Sequence, residues 1–440
     1  MTMKIFPLVA LLCLLVAEGA AASPSAEDSL LVRYRHMALD CDDGLKAVAK
    51  RIAACSELER SARAERMPTL SAGGDVRYTG NPLKYAAELP GVGPLTLEGQ
   101  NWKYGASATL LQPLCTGGRI AGAIRMAESE TRMSEVQREL LRTEVCYRVD
   151  VQYWTTVARR EQVSVAEDHL CAVADLERVV RERVEAGLCD RQELLTVEVR
   201  HNEARYRLLQ VRSDFETGRM ALNALIGRPL DAETPVGTTL PEVGPGASGL
   251  SAAALHPEIR LAQERIVWER GSLQYGDARY KPQLGLGANA GYYAPGYDFR
   301  PDLSPNWALY ARLSVPIFQG GRRRRERSAA GYRIGMATDA LHRVEKDLDL
   351  ETRTSRTALD EAQERVALAV SSLVKAAENE RRATEKYVEG AISISEVIDA
   401  QLYRQTAQEN LVAAKEAALL HLARLLRAAD GYRFDNFSYL

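Results

Sequence analysis

The chain has 440 residues, with 57 lysines and arginines against 59 aspartates and glutamates, and a formal net charge of −2. This near-neutral balance argues against a nucleic-acid-binding protein, which normally carries a large basic excess. Aromatic residues make up only 6% of the chain, a composition that favours long helices with thin apolar seams over a thick globular core.

The first residues have the pattern of a secretory signal peptide. Lys4 supplies a positive start, Ile5–Ala17 an apolar run of 13 residues, and Ala20–Ala22 a small-residue cleavage site. A run this short favours cleavage over an uncleaved membrane anchor, so we predict a signal peptide over residues 1–22. No later stretch of 18 consecutive apolar residues occurs. A transmembrane helix in the mature chain is therefore not expected, whereas alternating barrel strands would leave little such signal.

The rest of the chain is an internal repeat. Pro113–Arg119 (Pro-Leu-Cys-Thr-Gly-Gly-Arg) matches Pro316–Arg322 (Pro-Ile-Phe-Gln-Gly-Gly-Arg) at an offset of 203 residues, and Gly187 and Gly390 are again 203 residues apart. The intervening segment is rich in proline and glycine, as linkers are. We therefore predict four further segments. They are a first repeat (23–228), a linker (229–251), a second repeat (252–432) and a short C-terminal tail (433–440).

Each repeat is predicted to contain a helix, two strands, a very long helix and a return helix. The first helix is expected over Glu27–Arg66, ending before Pro68. The helix that opens the second repeat begins at Pro257, because proline is tolerated in the first turn. The predicted strands cover about 70–80, 102–113, 284–294 and 307–316, and the loops between the strands of each pair are expected to face outside.

The strands alternate between apolar and polar residues. Trp307–Val315 is the clearest case, with an apolar side chain at every second position. A membrane barrel strand alternates in this way, and so does a half-exposed soluble hairpin. Trp102 and Trp307, at equivalent strand starts, favour an aromatic girdle at a membrane interface.

The long helices are predicted from the absence of proline. Gly187 lies 68 positions after Arg119, and Gly390 lies 68 positions after Arg322, with no proline in either span. A helix of this length is about 100 Å long. Apolar residues at three-four spacing on both sides of Gly187 predict an antiparallel coiled coil with the glycine in the reversal. His201 falls on this seam, where a packed or hydrogen-bonded histidine is more common than a metal ligand.

Four strands per chain cannot close a membrane barrel, since bacterial barrels begin at about eight strands. An open sheet edge in lipid would leave backbone groups unpaired. If the strands enter a membrane, several chains must therefore combine in a closed ring.

Motifs for catalysis or metal binding are missing from the sequence. The six histidines show no HExxH spacing, and the cysteines show neither CxxC nor zinc spacing. Arg119 and Arg322 stand where a phosphate-binding loop after Gly-Gly would need lysine. We predict no catalytic residue, no metal site and no cofactor.

The order of elements, written twice and including Pro316–Arg322 and Tyr387–Asp399, resembles the TolC-like outer-membrane efflux protein family. The resemblance implies a homotrimer that forms a 12-stranded outer-membrane β-barrel continued by a periplasmic α-helical barrel. It also implies an export duct for efflux or type I secretion, which works with an inner-membrane pump and a periplasmic adaptor. The alternative from the residues alone is a soluble periplasmic coiled-coil scaffold or adaptor that does not enter the membrane.

The resemblance further implies a gate at the periplasmic tips. Tyr387 matches the family's gate tyrosine, Glu396 and Asp399 match acids that line the constriction, and Glu193 matches the acid of the first repeat. Ile392 stands where well-known members carry an arginine. A salt-bridge lock of the known kind is therefore not expected, and the alternatives are a looser gate or one that is held mainly by packing.

The tips are also the expected docking surface for the adaptor. Gly187-Leu188 matches a family contact after the turn, whereas the second repeat has Gly390-Ala391. Both glycines also fit ordinary turn chemistry.

A basic run, Arg322–Arg325 with Arg327, follows the second strand pair. This basic run is compatible with three roles: contact with lipid phosphates, a charge network in the lumen, or a solvated helix start. Because cations near a helix N-terminus are mildly unfavourable, the run suggests a local partner.

Overall fold

The computed structural model describes residues 26–82, 84–89, 91, 93–244, 256–296, 302–429 and 432. The predicted signal peptide and C-terminal tail lie outside the described residues. The helices are α1 (Ala26–Cys41), α2 (Asp43–Ala64), α3 (Arg119–Glu185), α4 (Arg191–Leu225), α5 (Pro257–Asp277), α6 (Arg322–Val388) and α7 (Ile394–Ala428). The strands are β1 (Thr69–Tyr78), β2 (Lys84–Leu89), β3 (Gly93–Glu98), β4 (Trp102–Cys115), β5 (Gln283–Ala294) and β6 (Ser304–Ser314). The mostly helical fold with a small β part, written as two repeats, is confirmed.

The first predicted helix is interrupted. α1 ends at Cys41 and α2 begins at Asp43, so the prediction of a single helix over Glu27–Arg66 is wrong. Asp42 lies between them in an extended conformation, and its Oδ1 accepts a hydrogen bond of 2.8 Å from the backbone N–H of Leu45. A short acid placed this way caps a new helix N-terminus.

The long helices are as expected. α3 and α6 each contain 67 residues, which is about 100 Å. Each reverses into a return helix of 35 residues, α4 after α3 and α7 after α6. The two helices of each pair pack side by side along their length, and α7 also packs on α3.

The four main strands form one antiparallel sheet in the order β1-β4-β5-β6. The register places large apolar side chains on one face, and all of those named next are exposed in the single chain. They are Leu70, Val76, Tyr78, Trp102, Tyr104, Leu110, Leu286, Tyr292, Trp307, Leu309 and Leu313. Among the described strands, β1 and β6 each have one edge without a partner.

The other face of the sheet is mostly polar, and tyrosine rings lie across glycines on it. Tyr310 is paired with Gly287, and a Cβ added to Gly287 would lie 2.2 Å from Cζ of Tyr310. Tyr293 is paired with Gly105 in the same way, and a Cβ added to Gly105 would lie 2.8 Å from Cδ1 of Tyr293. The glycines therefore allow aromatic rings to lie flat on this face.

The connection between β1 and β4 contains a small hairpin that the sequence did not predict. β2 and β3 pair with each other and form a separate two-stranded sheet. Lys84 and Glu98, at the open end of this hairpin, form an ion pair of 2.6 Å. The extra residues of the first repeat fall in this interval.

The helices nearest the sheet continue its strand order. α3 packs between α2 and α5, and α5 packs against α6. The layer α2-α3-α5-α6 therefore extends from β1-β4-β5-β6. Among the described helices, none combines the length and the hydrophobicity that are needed to cross a bilayer.

The largest apolar cluster among the described residues lies where α1 packs against α3, away from both the sheet and the helical turns. It contains a buried ion pair, in which Nε and Nη2 of Arg35 donate to Asp150 Oδ1 and Oδ2 at 2.6 and 2.5 Å. Tyr432 Oη donates to the same carboxylate at 2.8 Å. The side chains of Arg35 and Asp150 are 4% and 2% exposed. Burial raises the pKa of the neighbouring Cys146 thiol to about 11, so this cysteine packs in its neutral form.

The described part of the predicted linker, residues 229–244, lies against this core. Tyr34 Oη donates to the carbonyl of Pro235 at 2.6 Å, and the N–H of Leu240 donates to Glu161 Oε2 at 2.8 Å. These bonds hold an irregular segment against the core, although its composition had indicated only a linker.

Candidate functional site at the helical tips

Both helical reversals are tight turns centred on a glycine in the left-handed region. Gly187 and Gly390 have φ of 69° and 77°, which side chains with a Cβ rarely adopt. The N–H groups of Leu188 and Ala391 bond back to the carbonyls of Arg183 and Lys386 at 2.8 Å each, as at many helix ends. Leu188 is 68% exposed. The first tip therefore presents a free apolar side chain.

A hydrogen bond joins the two tips. Tyr387, at the end of α6, is only 3% exposed, and its Oη donates to Glu193 Oε2 in α4 at 2.9 Å. The two residues are 194 positions apart and belong to different repeats. Two of the predicted gate residues are therefore in direct contact.

The environment keeps the Tyr387 hydroxyl protonated. Burial raises its pKa, and the bond to the Glu193 carboxylate raises it further. The phenol therefore remains a hydrogen-bond donor throughout the physiological pH range.

Arg183 makes a second link between the tips. Its Nη1 donates to the carbonyls of Tyr387 and Val388, both at 2.9 Å, and its guanidinium lies 4.9 Å from the centre of the Tyr387 ring. The carbonyls at the end of α6 lack helical partners, and a cation there also complements the helix dipole. A charge-assisted link is therefore present, but it comes from the first repeat and not from the position of Ile392.

Sequence reasoning missed Arg183. At the repeat offset of 203 residues, the equivalent position in the second repeat is Lys386. Each tip therefore has a cation near its turn. This repeated charge is the sequence feature that could have identified Arg183 as a tip residue.

Below these polar links, the tips share an apolar cluster. Ile392 is half-buried and packs against it. Its buried members come from both coiled coils and are Val173, Leu176, Val180, Val197, Tyr387, Ile394, Val397 and Ile398. Packing therefore holds the tips together where the family arginine is missing.

Glu396 and Asp399 do not take part in these contacts. Glu396 Oε1 accepts from the N–H and Oγ of Ser393 at 3.2 and 3.1 Å, in a capping box that starts α7. Asp399 is exposed, one turn further along α7. Of the four predicted gate residues, Tyr387 and Glu193 are therefore hydrogen-bonded to each other, whereas Glu396 and Asp399 are exposed and are not part of that link.

Further up the coiled coils, polar side chains bridge the helices. His201 on the α4 seam is hydrogen-bonded to Glu177 of α3, in keeping with a bonded seam histidine. Arg404 of α7 donates to the buried Glu380 of α6 at 2.7 Å. Each coiled coil therefore has a polar link between its two helices.

The two predicted girdle tryptophans face the apolar side of the sheet at different levels. Trp102 packs on Tyr78, with ring centres 5.1 Å apart. Trp307 is paired with Ala290, which is paired with Ala108, six residues after Trp102. They are therefore not neighbours across the sheet.

The basic run has a local partner, as expected. Arg323 Nε and Nη2 donate to Asp277 Oδ1 and Oδ2 at 2.9 and 3.1 Å, while Arg322 pairs with Glu326 at 2.8 Å. The bonds from Arg323 lower the pKa of the Asp277 carboxyl. The run thereby attaches the start of α6 to the end of α5.

Comparison with known proteins gives consistent results. The family model described as outer membrane efflux protein matches residues 35–228 and 250–431. The solvent efflux pump outer membrane protein SrpC of Pseudomonas putida is 24% identical over 409 residues, covering 89% of this chain and 84% of that protein. The pyoverdine export outer membrane protein OpmQ of Pseudomonas aeruginosa is 26% identical over 325 residues, covering 72% of this chain and 66% of that protein.

Solved structures show the same fold. The outer membrane protein VceC of Vibrio cholerae aligns with a TM-score of 0.75 at 19% identity, covering 91% of this chain and 96% of that chain. The CmeC outer membrane channel of Campylobacter jejuni aligns with a TM-score of 0.72 at 16% identity, covering 91% and 85%.

Proposed function

The chain belongs to the outer membrane efflux protein family, and we propose that it is one subunit of a trimeric export duct that crosses the outer membrane and projects into the periplasm. The observation that carries this proposal is the sheet. It has one apolar face and one mostly polar face, two unpaired edges among the described strands, and helices of about 100 Å extending from it.

Closure of the sheet requires further copies of the chain. A free strand edge in lipid costs several kcal/mol for each unpaired backbone group. Three copies of the four-stranded sheet would give twelve strands, which is within the range of known membrane barrels. Exposed apolar side chains on α4 and α6, such as Tyr206, Leu209, Tyr332 and Met336, leave helical faces for the neighbouring copies.

In this arrangement the tips form the periplasmic end of the duct. Tyr387, Glu193 and Arg183 hold each subunit closed, Glu396 and Asp399 face the narrow mouth, and Leu188 with Gly187 and Gly390 contacts a periplasmic adaptor. The adaptor connects the duct to an inner-membrane pump. Trp102, at the end of the sheet away from the helices, anchors the barrel in the lipid interface, and Trp307 contacts lipid from the same apolar face at a different level.

The proposal is tested by reconstitution. Protein purified in detergent is expected to run as a heat-modifiable trimer, and planar bilayers that contain it are expected to conduct. Monomeric protein, or bilayers that stay silent, would rule out the duct and favour a periplasmic scaffold.

A second expected result concerns the acids at the mouth. Changing Glu396→Gln together with Asp399→Asn should weaken block by hexaamminecobalt(III), added on the periplasmic side, by roughly tenfold, because rings of carboxylates attract multivalent cations. Glutamine can still accept the Ser393 bonds that cap α7. The control removes the same charges from the middle of α6, with Glu345→Gln and Asp347→Asn, both exposed. Unchanged block in the tip variant would remove these acids from the mouth.

A further inference from the structure

The four main strands carry an unequal set of charges. Between them they contain one acid, Asp75, and three bases, Arg77, Lys103 and Arg312. The register places all four on the polar face, between the apolar positions of the same strands. The wall of a duct built from this sheet therefore has a net charge of +2 for each copy (three minus one).

Two of these cations lie directly opposite each other. Arg77 of β1 is paired with Lys103 of β4, and like charges at opposing positions destabilise an antiparallel sheet. Within the described residues, neither side chain forms an ion pair, although Asp75 is only two residues from Arg77. Because neither cation is neutralised by an ion pair within the described residues, the two side chains have room for an external anion.

The pair lies at the end of the sheet away from the helices. Arg77 is next to the last residue of β1, which runs away from α2, and Lys103 is the second residue of β4, which returns to α3. Arg312 is two residues from the end of β6 that leads to α6. In the proposed duct, Arg77 and Lys103 would surround the outer mouth and Arg312 the inner end of the barrel.

We infer that the barrel section of this duct selects for anions, and that Arg77 with Lys103 binds anionic groups of the cargo, such as carboxylates, sulfonates or phosphates, as they leave. This inference rests on the proposed function. Three copies would give the wall a charge of about +6, enough to raise the local concentration of anions along a polar channel at low ionic strength. The cargo is therefore expected to include organic anions.

The inference is tested with a cysteine reporter at Ser107→Cys. Ser107 lies on the polar face of β4, paired with Gly73 and Gly291. Cys115 and Cys171, the exposed native thiols among the described cysteines, are changed to serine. The probes are the negatively charged sulfonatoethyl and the positively charged trimethylammonioethyl methanethiosulfonates, added from the outer side at low ionic strength. Labelling of residue 107 is followed by mass spectrometry, and each rate is normalised to that of a small free thiol.

The expected result is a normalised preference for the anionic reagent, which falls roughly threefold or more when Arg77→Gln and Lys103→Gln are combined. The matched control removes two exposed cations from the helices, with Lys50→Gln and Arg343→Gln, and should leave the preference unchanged. An unchanged preference in the strand variant, or an equal fall in the control, overturns the inference. Bilayer conductance of the same proteins separately reports whether the duct itself exists.

Discussion

Replacing Tyr387 with phenylalanine should raise the conductance of the duct in planar bilayers by roughly threefold or more. The phenol donates to Glu193 and so connects the two coiled coils of a subunit. A hydrogen bond to a charged group contributes about 1.5–3 kcal/mol, and a trimer loses three of them. Phenylalanine keeps the ring under Arg183, so the packing of the tip is retained while the link is lost.

The matched control is Tyr403→Phe. Tyr403 lies on α7, is 65% exposed and forms no hydrogen bond with the residues that the structure describes. Glu193→Ala, which removes the acceptor, should raise conductance in the same direction. The double variant should add little to either single change, because both remove one interaction. Equal conductance for Tyr387→Phe and the unaltered protein would show that the tip is held by packing alone.

Replacing Arg35 with leucine should lower the free energy of unfolding by about 3–5 kcal/mol. The change leaves the Asp150 carboxylate buried, with Tyr432 as its remaining hydrogen-bond donor from this cluster. Thermal unfolding of the purified protein, followed by far-UV circular dichroism, measures the loss as a lower Tm.

Two variants separate this effect from a general loss of arginine. Arg60→Leu breaks the exposed pair with Glu57 and should cost about 0–1 kcal/mol. Combining Arg35→Leu with Asp150→Leu should recover much of the loss, since no charge is then left buried. If Arg35→Leu is no more harmful than Arg60→Leu, the buried pair is not a major source of stability.

The large features of the fold could be predicted from the sequence because each depends on a regular pattern. The proline-free spans predicted α3 and α6, and alternation predicted the four main strands. The break at Asp42 was missed because a short acidic stretch, Asp40 to Asp43, also fits a solvated helix surface. The order of residues 229–244 depends on side chains far away in the chain, such as Tyr34 and Glu161, which local composition does not reveal.

The tips show the same limit at the level of single residues. Tyr387 and Glu193 were identified through the family resemblance. Arg183 is one of 57 basic residues, and only the folded structure shows that it reaches the carbonyls of α6. Glu396 was expected at the mouth, and its capping bond to Ser393 was overlooked, although Ser393-Ile-Ser-Glu396 has the sequence pattern of a capping box.

The two sheet edges that have no partner among the described strands have a genetic consequence. A copy that cannot pair along β1 or β6 would prevent barrel closure in every assembly that it enters, including assemblies that also contain normal copies. In a cell that makes equal amounts of normal and edge-defective chains, about one trimer in eight would be wholly normal. Mutations along these edges should therefore behave as dominant, whereas mutations that prevent the chain from folding at all should be recessive.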